Sequence, residues 1–355
     1  MALSQFFTNI WDNIKSAPTF VPTYIEFPAS QTDVQDELET FDDRRHYFMM
    51  SVSEMFLSYQ RLWHQNFSPM VFTVCNFNYD GKTLEIPYII GPSLLKKYEQ
   101  RLPKGMLFFN TPVVGIYPWK GGNFSLSVIL CRIAETNNAE KLLNVIEEVS
   151  ENIEVSSGIA QYTKIGKVIL KGVDALMGFQ QTSPLLGLNN NFGQAAGNPF
   201  KPGFHAIIHN PNLDKRKFWV KNNKLHYGDS LESALEYRDD DFVLFKIGVS
   251  ENRTDEETLN FYQEYKEIYN YLANQTEITD KQRQFLKTKM LHLAISIKQS
   301  PDLTAAQADR IWKEKCDEIN DFVDRITKLS GKEVKKEMPA LDQMMDAAMN
   351  DLNFL

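Results

Sequence analysis

The apolar positions along this chain change period several times, and those changes divide it. Residues 158–178, GIAQYTKIGKVILKGVDALMG, set Ile159, Tyr162, Ile165, Ile169, Val173 and Leu176 on one stripe, with Lys164, Lys167 and Lys171 elsewhere. That spacing predicts an amphipathic helix with one buried face. Gly166 and Gly172 each cost about 1 kcal/mol against alanine inside a helix, so their presence predicts close approach by a neighbouring element. Residues 179–203 carry four glycines and three prolines. They read as a long loop without a strand, either a binding loop or a linker between lobes.

Before that helix the β-period dominates. MVFTVCNFNYDGKTLEIPYIIG has two β-rich runs around Asp80-Gly81, which predicts a hairpin with a tight turn. GMLFFN, VVGIYPW and NFSLSVILCRI read as further strands of a sheet of about five, the last two turning at Gly121-Gly122. HYFMMSVSEMFLSY is apolar on both faces, and its periodicity leaves strand and helix open. Short helices are predicted over 3–16 (Phe6, Phe7, Ile10, Trp11 and Ile14 on one side, stopped by Pro18), over SLLKKYEQRL, and over AEKLLNVIEEVSENI. Beyond the central stretch, FHAIIHN, RKFWVKN, KLHYG and DFVLFKIGVS read as strands, with Asn222-Asn223 turning the middle pair.

From Thr254 the helical period takes over. Thr254 and Glu257 have the spacing of a capping box, and Leu259, Tyr262, Tyr265, Tyr269 and Leu272 form a stripe. Leu286, Met290, Leu293 and Ile297 line a second helix; Ala308, Trp312, Ile319, Val323 and Ile326 line a third, before Gly331. The expected fold is therefore α+β, with mixed or antiparallel sheets, amphipathic helices and a C-terminal three-helix layer. The expected division is an α+β domain at 1–157, the central helix and loop at 158–203, a β segment at 204–250, helices at 251–331 and a tail at 332–355.

Composition narrows the function classes. The 355 residues are 43% hydrophobic and 24% charged, which suits a globular chain with room for two domains. A net charge of −8 argues against a general nucleic-acid binder. Three widely spaced cysteines, Cys75, Cys131 and Cys316, form neither a disulfide framework nor a zinc ribbon, so a reducing compartment is expected. No secretory signal and no window of eighteen uncharged apolar residues is found, so a cytoplasmic chain without a transmembrane segment is expected.

Candidate chemistry is sparse. Gly228-Asp229-Ser230-Leu231 after the KLHY strand resembles the nucleophile block of GDSL-type esterases over four residues, but the downstream Asp-x-x-His that family requires is missing, since His292 follows Lys289 by three. Capping of a short helix over ESALEY is the plainer reading. His205 and His209 stand about 13 Å apart on a predicted strand, too far for both to ligate one ion, and with His226 they add no cysteine or carboxylate signature, so no metal is expected. No phosphate-cradling glycine loop occurs, and no cofactor is expected. Asp239-Asp240-Asp241 reads as a solvated turn.

The tail carries the most suggestive surface. In ALDQMMDAAMNDLNFL, Leu341, Met344, Met345, Ala348 and Leu352 recur at helical spacing with Asp342, Asp346 and Asn350 opposite, the pattern of a helix laid in a groove of a partner or of the chain's own core. The sequence thus favours a non-enzymatic adaptor or regulatory subunit binding another protein through this tail or the central loop. The alternatives are a membrane-surface or pore-forming effector using Lys164, Lys167 and Lys171, and a hydrolase using Ser230 and His226.

Overall fold

The computed structural model describes residues 22–34, 40–58, 61–62, 65–91, 106–134, 141–149, positions 166, 168, 169, 171–173, 175 and 176, 182–193 and 200–329. The expected helices over 3–16 and SLLKKYEQRL, and the tail from 332, lie outside them. The fold is α+β. Two compact units divide it, the first formed by 1–42 with 48–250 and the second by 43–47 with 251–355.

In the first unit the strands are β1 (Thr23–Glu26), β2 (Tyr47–Phe56), β3 (Arg61–Leu62), β4 (Gln65–Tyr79), β5 (Lys82–Ile90), β6 (Met106–Pro118), β7 (Phe124–Ala134), β8 (Thr182–Phe192), β9 (Gly203–Ile208), β10 (Phe218–Lys221), β11 (Lys224–Tyr227), β12 (Leu235–Glu236) and β13 (Phe242–Ser250). They form three sheets: β1-β9-β13-β2-β6, the small β10-β11-β12, and β3-β4-β7-β8 with β5 on the other side of β4. Two of the three predicted turns are two-residue turns with both central residues at positive φ, Asp80 and Gly81 at 51° and 66°, Asn222 and Asn223 at 51° and 59°. Their twist matches that of the flanking strands. GMLFFN and VVGIYPW run as one strand, β6.

Alternation along β9 and β13 explains how the sheets stack. Phe204, Ala206 and Ile208 with Phe242 and Leu244 bury one face of the long sheet against Phe218, Val220 and Leu225 of the small sheet. Ile207, Val243, Phe245 and Ile247 face the other way, into a core shared with β4, β5 and β7. Phe48 of β2 reaches across that core to Phe77, ring centroids 4.9 Å apart and edge-on, and Met50 Sδ lies 3.7 Å from Cys75 Sγ. β4 and β7 are buried on both faces, which is why their sequences are almost continuously apolar.

Helices cover the outer face of the β4 sheet. α1 spans 141–149, and α2 comprises the helical positions between 166 and 176 named above. The two glycines of α2 mark close approaches, as the sequence predicts. A Cβ on Gly172 would lie 2.4 Å from Ile146 Cγ1 of α1, and one on Gly166 would lie 3.4 Å from Pro87 of β5.

The expectation of a central loop without a strand is overturned. Residues 182–192, read as loop, form β8, paired antiparallel with β7 from Phe124↔Phe192 to Ile133↔Thr182. The punctuating residues are accommodated because β8 ends that sheet's strand order. Pro184 sits beside the register shift at Leu130/Cys131, where a missing N–H is tolerated, and Leu186 and Phe192 supply the buried side chains.

The second unit is a three-helix layer of α3 (Asn260–Ala273), α4 (Asp280–Lys298) and α5 (Ala305–Leu329). The predicted stripes of α4 and α5 are buried, with Val323 only partly so; on α3, Phe261 and Ile268 join Leu259, Tyr265 and Leu272, while Tyr269 is exposed. The capping box expected at Thr254 and Glu257 does not form. Asp255 is held by Arg253 through two 2.7 Å bonds, a 3-10 turn (Glu256–Thr258) intervenes, and α3 starts at Asn260. The box forms instead at α4, where the Thr279 side chain accepts from Gln282 N and Gln282 Oε1 accepts from Thr279 N at 2.7 Å. Residues 43–47 belong to this unit through Ala306 N donating to Arg44 O at 3.0 Å and Thr304 N donating to the Tyr47 hydroxyl at 3.0 Å.

Candidate functional site

A shallow groove lies along the seam of α3 and α4. Burying Phe261, Tyr265, Ile268 and Leu272 leaves Glu264, Glu267 and Tyr271 on the adjoining side of α3, at i, i+3 and i+7. Burying Leu286, Met290, Leu293 and Ile297 likewise leaves Phe285, Thr288, Lys289 and His292 on α4. The two stripes meet in antiparallel order. Tyr271 and Phe285 touch at one end, ring centroids 4.8 Å apart; Lys289 Nζ stands 3.7 Å from Glu267 Oε2; the Ser296 hydroxyl lies 2.8 and 2.9 Å from the two oxygens of Glu264 at the other end. The groove above this seam encloses about 320 Å³ and is lined by Glu264, Glu267, Phe285, Thr288, Lys289 and His292. Phe285 is 43% exposed there, a large apolar side chain between groups of both charges.

A second face of the same unit is aromatic. Tyr269 of α3 stacks on Phe322 of α5 at 4.9 Å, and Tyr262, Tyr265 and Tyr269 follow one another at 5.8 and 6.1 Å. Lys266 Nζ sits 4.8 Å above Tyr262 and Lys315 Nζ 4.6 Å above Tyr265. Tyr269 is 44% exposed, and Leu329, at the end of α5, 87%.

The first unit holds a buried polar cluster that the sequence conceals. Glu54 lies in the apolar run HYFMMSVSEMFLSY and is 1% exposed. Phe48, Met50 and Val52 point into the main core, but so do Met55 and Leu57, so the parity of β2 shifts near Ser53. That shift turns Glu54 and Phe56 toward the small sheet. There Glu54 Oε2 accepts from Leu225 N at 2.8 Å, and Arg238 Nη2 donates to Glu54 Oε1 at 2.6 Å and to Glu236 Oε2 at 3.0 Å. The guanidinium also stands over Phe56 and Phe242 at 5.4 and 6.0 Å. Burial pushes the Glu54 carboxyl up to about 7, against the opposing pull of Arg238.

The catalytic candidates are placed apart. Ser230 Oγ lies 3.0 Å from Ser233 Oγ and accepts from Ser233 N at 3.3 Å, and Asp229 takes Lys217 Nζ at 2.8 Å. The hydroxyl does cap a turn, but ESALEY forms that single turn and then β12 rather than a helix. His226 Nδ1 bonds Lys224 O at 3.0 Å. His205 is buried in the first unit's core, its Nδ1 2.8 Å from the Tyr24 hydroxyl and its ring stacked on Phe245 at 5.2 Å; burial drives its pKa down to about 3. His209 lies beyond the end of β9, 3.7 Å from Asp241. Asp239 and Asp240 form a bend with Asp239 exposed, but the other two carboxylates are engaged: Asp241 accepts from Ser58 N and Oγ at 2.6 and 2.7 Å, and Asp240 from Asn210 at 2.9 Å. Cys75, Cys131 and Cys316 are buried thiols, and burial raises Cys131 to about 12.

Of the lysines on the central helix, Lys171 is exposed and Lys164 and Lys167 lie outside the described residues. The apolar stripe beside them is occupied: Ile169, Val173 and Leu176 are fully buried in the first unit's core. Leu341, Met344, Met345, Ala348 and Leu352 lie outside the described residues. Among the described residues no group of three or more His, Cys, Asp and Glu is arranged to hold a metal, and no helix is long and apolar enough to cross a membrane. No protein-family model, curated protein or solved structure matches this chain.

Proposed function

We propose that this chain is a non-enzymatic adaptor or regulatory subunit of the cytoplasm that binds another protein through its helical unit and the Met-rich tail that follows it. The observation that supports this is Phe285. It stands 43% exposed in a groove whose walls carry Glu267 and Lys289, while the core of the same unit is closed beneath by Leu286, Met290 and Leu293. A half-exposed aromatic ringed by paired charges is the composition of an interaction anchor with a polar rim. The groove takes one apolar side chain of a partner segment, with charged neighbours meeting Glu264, Glu267, Lys289 and His292.

The test is affinity capture with the full chain, beside Phe285→Ala and Met344→Asp/Met345→Asp. A partner retained by the wild type and weakened roughly 5- to 30-fold by either variant, at unchanged melting temperature, supports the reading. A partner bound equally by all three removes both surfaces from the account.

A further inference from the structure

Resting on the reading of the α3–α4 groove as a partner site, we infer the class of partner it takes: an amphipathic helix that seats an apolar side chain on Phe285 and, two turns away, a lysine or arginine on Glu264.

The charges along the seam are not balanced. Lys289 is engaged twice, by Glu267 Oε2 at 3.7 Å and by the Phe285 ring, whose centroid lies 6.0 Å from Nζ. Glu264 has no such cation. Its two oxygens share the single hydroxyl of Ser296, at 2.8 and 2.9 Å, and among the described residues no lysine, arginine or histidine pairs with it. An ionised carboxylate has about four lone-pair positions, so most of those on Glu264 stay open, although the side chain is only partly in solvent. With His292 counted as neutral, the groove keeps one uncompensated negative charge. A neutral or acidic segment laid there takes water from Glu264 and returns no charge; a basic side chain completes it. The chain as a whole, at a net charge of −8, draws a partner of the same sign.

The two anchors are held at a set spacing. Phe285 stands at the level of Tyr271, and Ser296 at the level of Glu264. From Glu264 to Tyr271 is seven residues of α3, a rise of about 10.5 Å. On a partner helix the same span separates positions i and i+7, which share a face. Both walls of the seam are helical, so their backbone groups bond within α3 and α4 and only side chains meet the partner. A segment docked there as a helix satisfies its own backbone, whereas an extended strand finds no sheet edge to join. Contact with Tyr271 also holds the Phe285 ring in place, so its exposed area is offered without further ordering.

The probe is a phage-displayed library of helices about sixteen residues long on an alanine–glutamine background. One site carries leucine or alanine, and the sites seven residues to either side carry lysine, glutamate or glutamine. At physiological salt the immobilised full chain should enrich leucine together with lysine, the lysine by about 2- to 5-fold per round over glutamine, the range of a partly exposed ion pair. Glu264→Gln, which keeps an acceptor for the Ser296 hydroxyl, should abolish the lysine preference and leave the leucine preference. Glu264→Lys should turn the charge preference to glutamate, and Phe285→Ala should remove the preference for leucine. No enrichment, or lysine selected equally by the wild type and Glu264→Gln, overturns the inference; the second result marks general attraction to an acidic chain. These selections need no natural partner. Their failure with capture still sensitive to Phe285→Ala removes the basic helix and keeps the adaptor reading, and their success with capture indifferent to Phe285→Ala removes the groove from that reading alone.

Discussion

Arg238 Nη2 lies 2.6 Å from Glu54 Oε1, and through that bond and the one from Leu225 N the small sheet is tied to the long sheet beneath it. Glu54→Ala leaves the guanidinium and a backbone N–H of β11 without their carboxylate. The expected loss is about 3–5 kcal/mol, the cost of breaking a buried pair on one side. Glu54→Gln keeps an acceptor for Leu225 N and loses clearly less. Urea unfolding followed by tryptophan fluorescence checks the order, and equal losses for the two variants would show that the carboxylate adds nothing beyond its shape.

The same carboxyl sets a pH dependence of known sign. Its pKa rises from 4.5 in the unfolded chain to about 7 in the folded one. The folded chain thus holds a proton that the unfolded chain has released; stability from this group is complete below about 4.5, falls as pH rises toward 7, and is flat above. His205 runs the other way. Its pKa falls from 6.5 to about 3, so its contribution is complete above 6.5 and is lost as pH falls toward 3. Melting temperatures from pH 3 to 8 should show Glu54→Gln removing the loss between 4.5 and 7, and His205→Gln removing the loss below 6.5. An unchanged profile in both variants contradicts these assignments.

Packing at the central helix separates its two glycines. Gly172→Ala drives a methyl to within 2.4 Å of Ile146, so despite a better helix former it should destabilise by about 1–2 kcal/mol. Gly166→Ala meets Pro87 at 3.4 Å, tight but not blocked, and should cost less or gain slightly. Ile146→Ala placed with Gly172→Ala should recover part of the loss. Additive effects in that double-mutant cycle would rule out the close approach as the reason for the glycine.

What the sequence showed and hid follows from how local each cause is. The turns at Asp80-Gly81 and Asn222-Asn223 were legible because positive φ at two successive residues selects Gly and Asn. The α4 stripe was legible because one face is buried along its length. β8 was not, since Gly187, Pro184 and Asn189 to Asn191 punctuate like a loop, and only pairing with β7 makes them a strand. Thr254-x-x-Glu257 and Thr279-x-x-Gln282 carry the same local pattern, and the distinction lies in Arg253, which takes Asp255 and delays the helix. Glu54 was hidden by a parity shift within an apolar run. The groove could have been found: Phe285, Thr288, Lys289 and His292 form a second helical stripe beside the buried one, with an aromatic where solvent was expected.

The central claim is that the helical unit is the working surface, and hydrogen exchange on the full chain, free and bound to its captured partner, tests it most directly. Protection on binding should appear in α3 and α4 around Glu264 to Tyr271 and Phe285 to His292 and in residues 340–355, with the β10-β11-β12 sheet unchanged. Protection confined to the sheets, with the α3–α4 seam exchanging as in the free chain, would contradict the account.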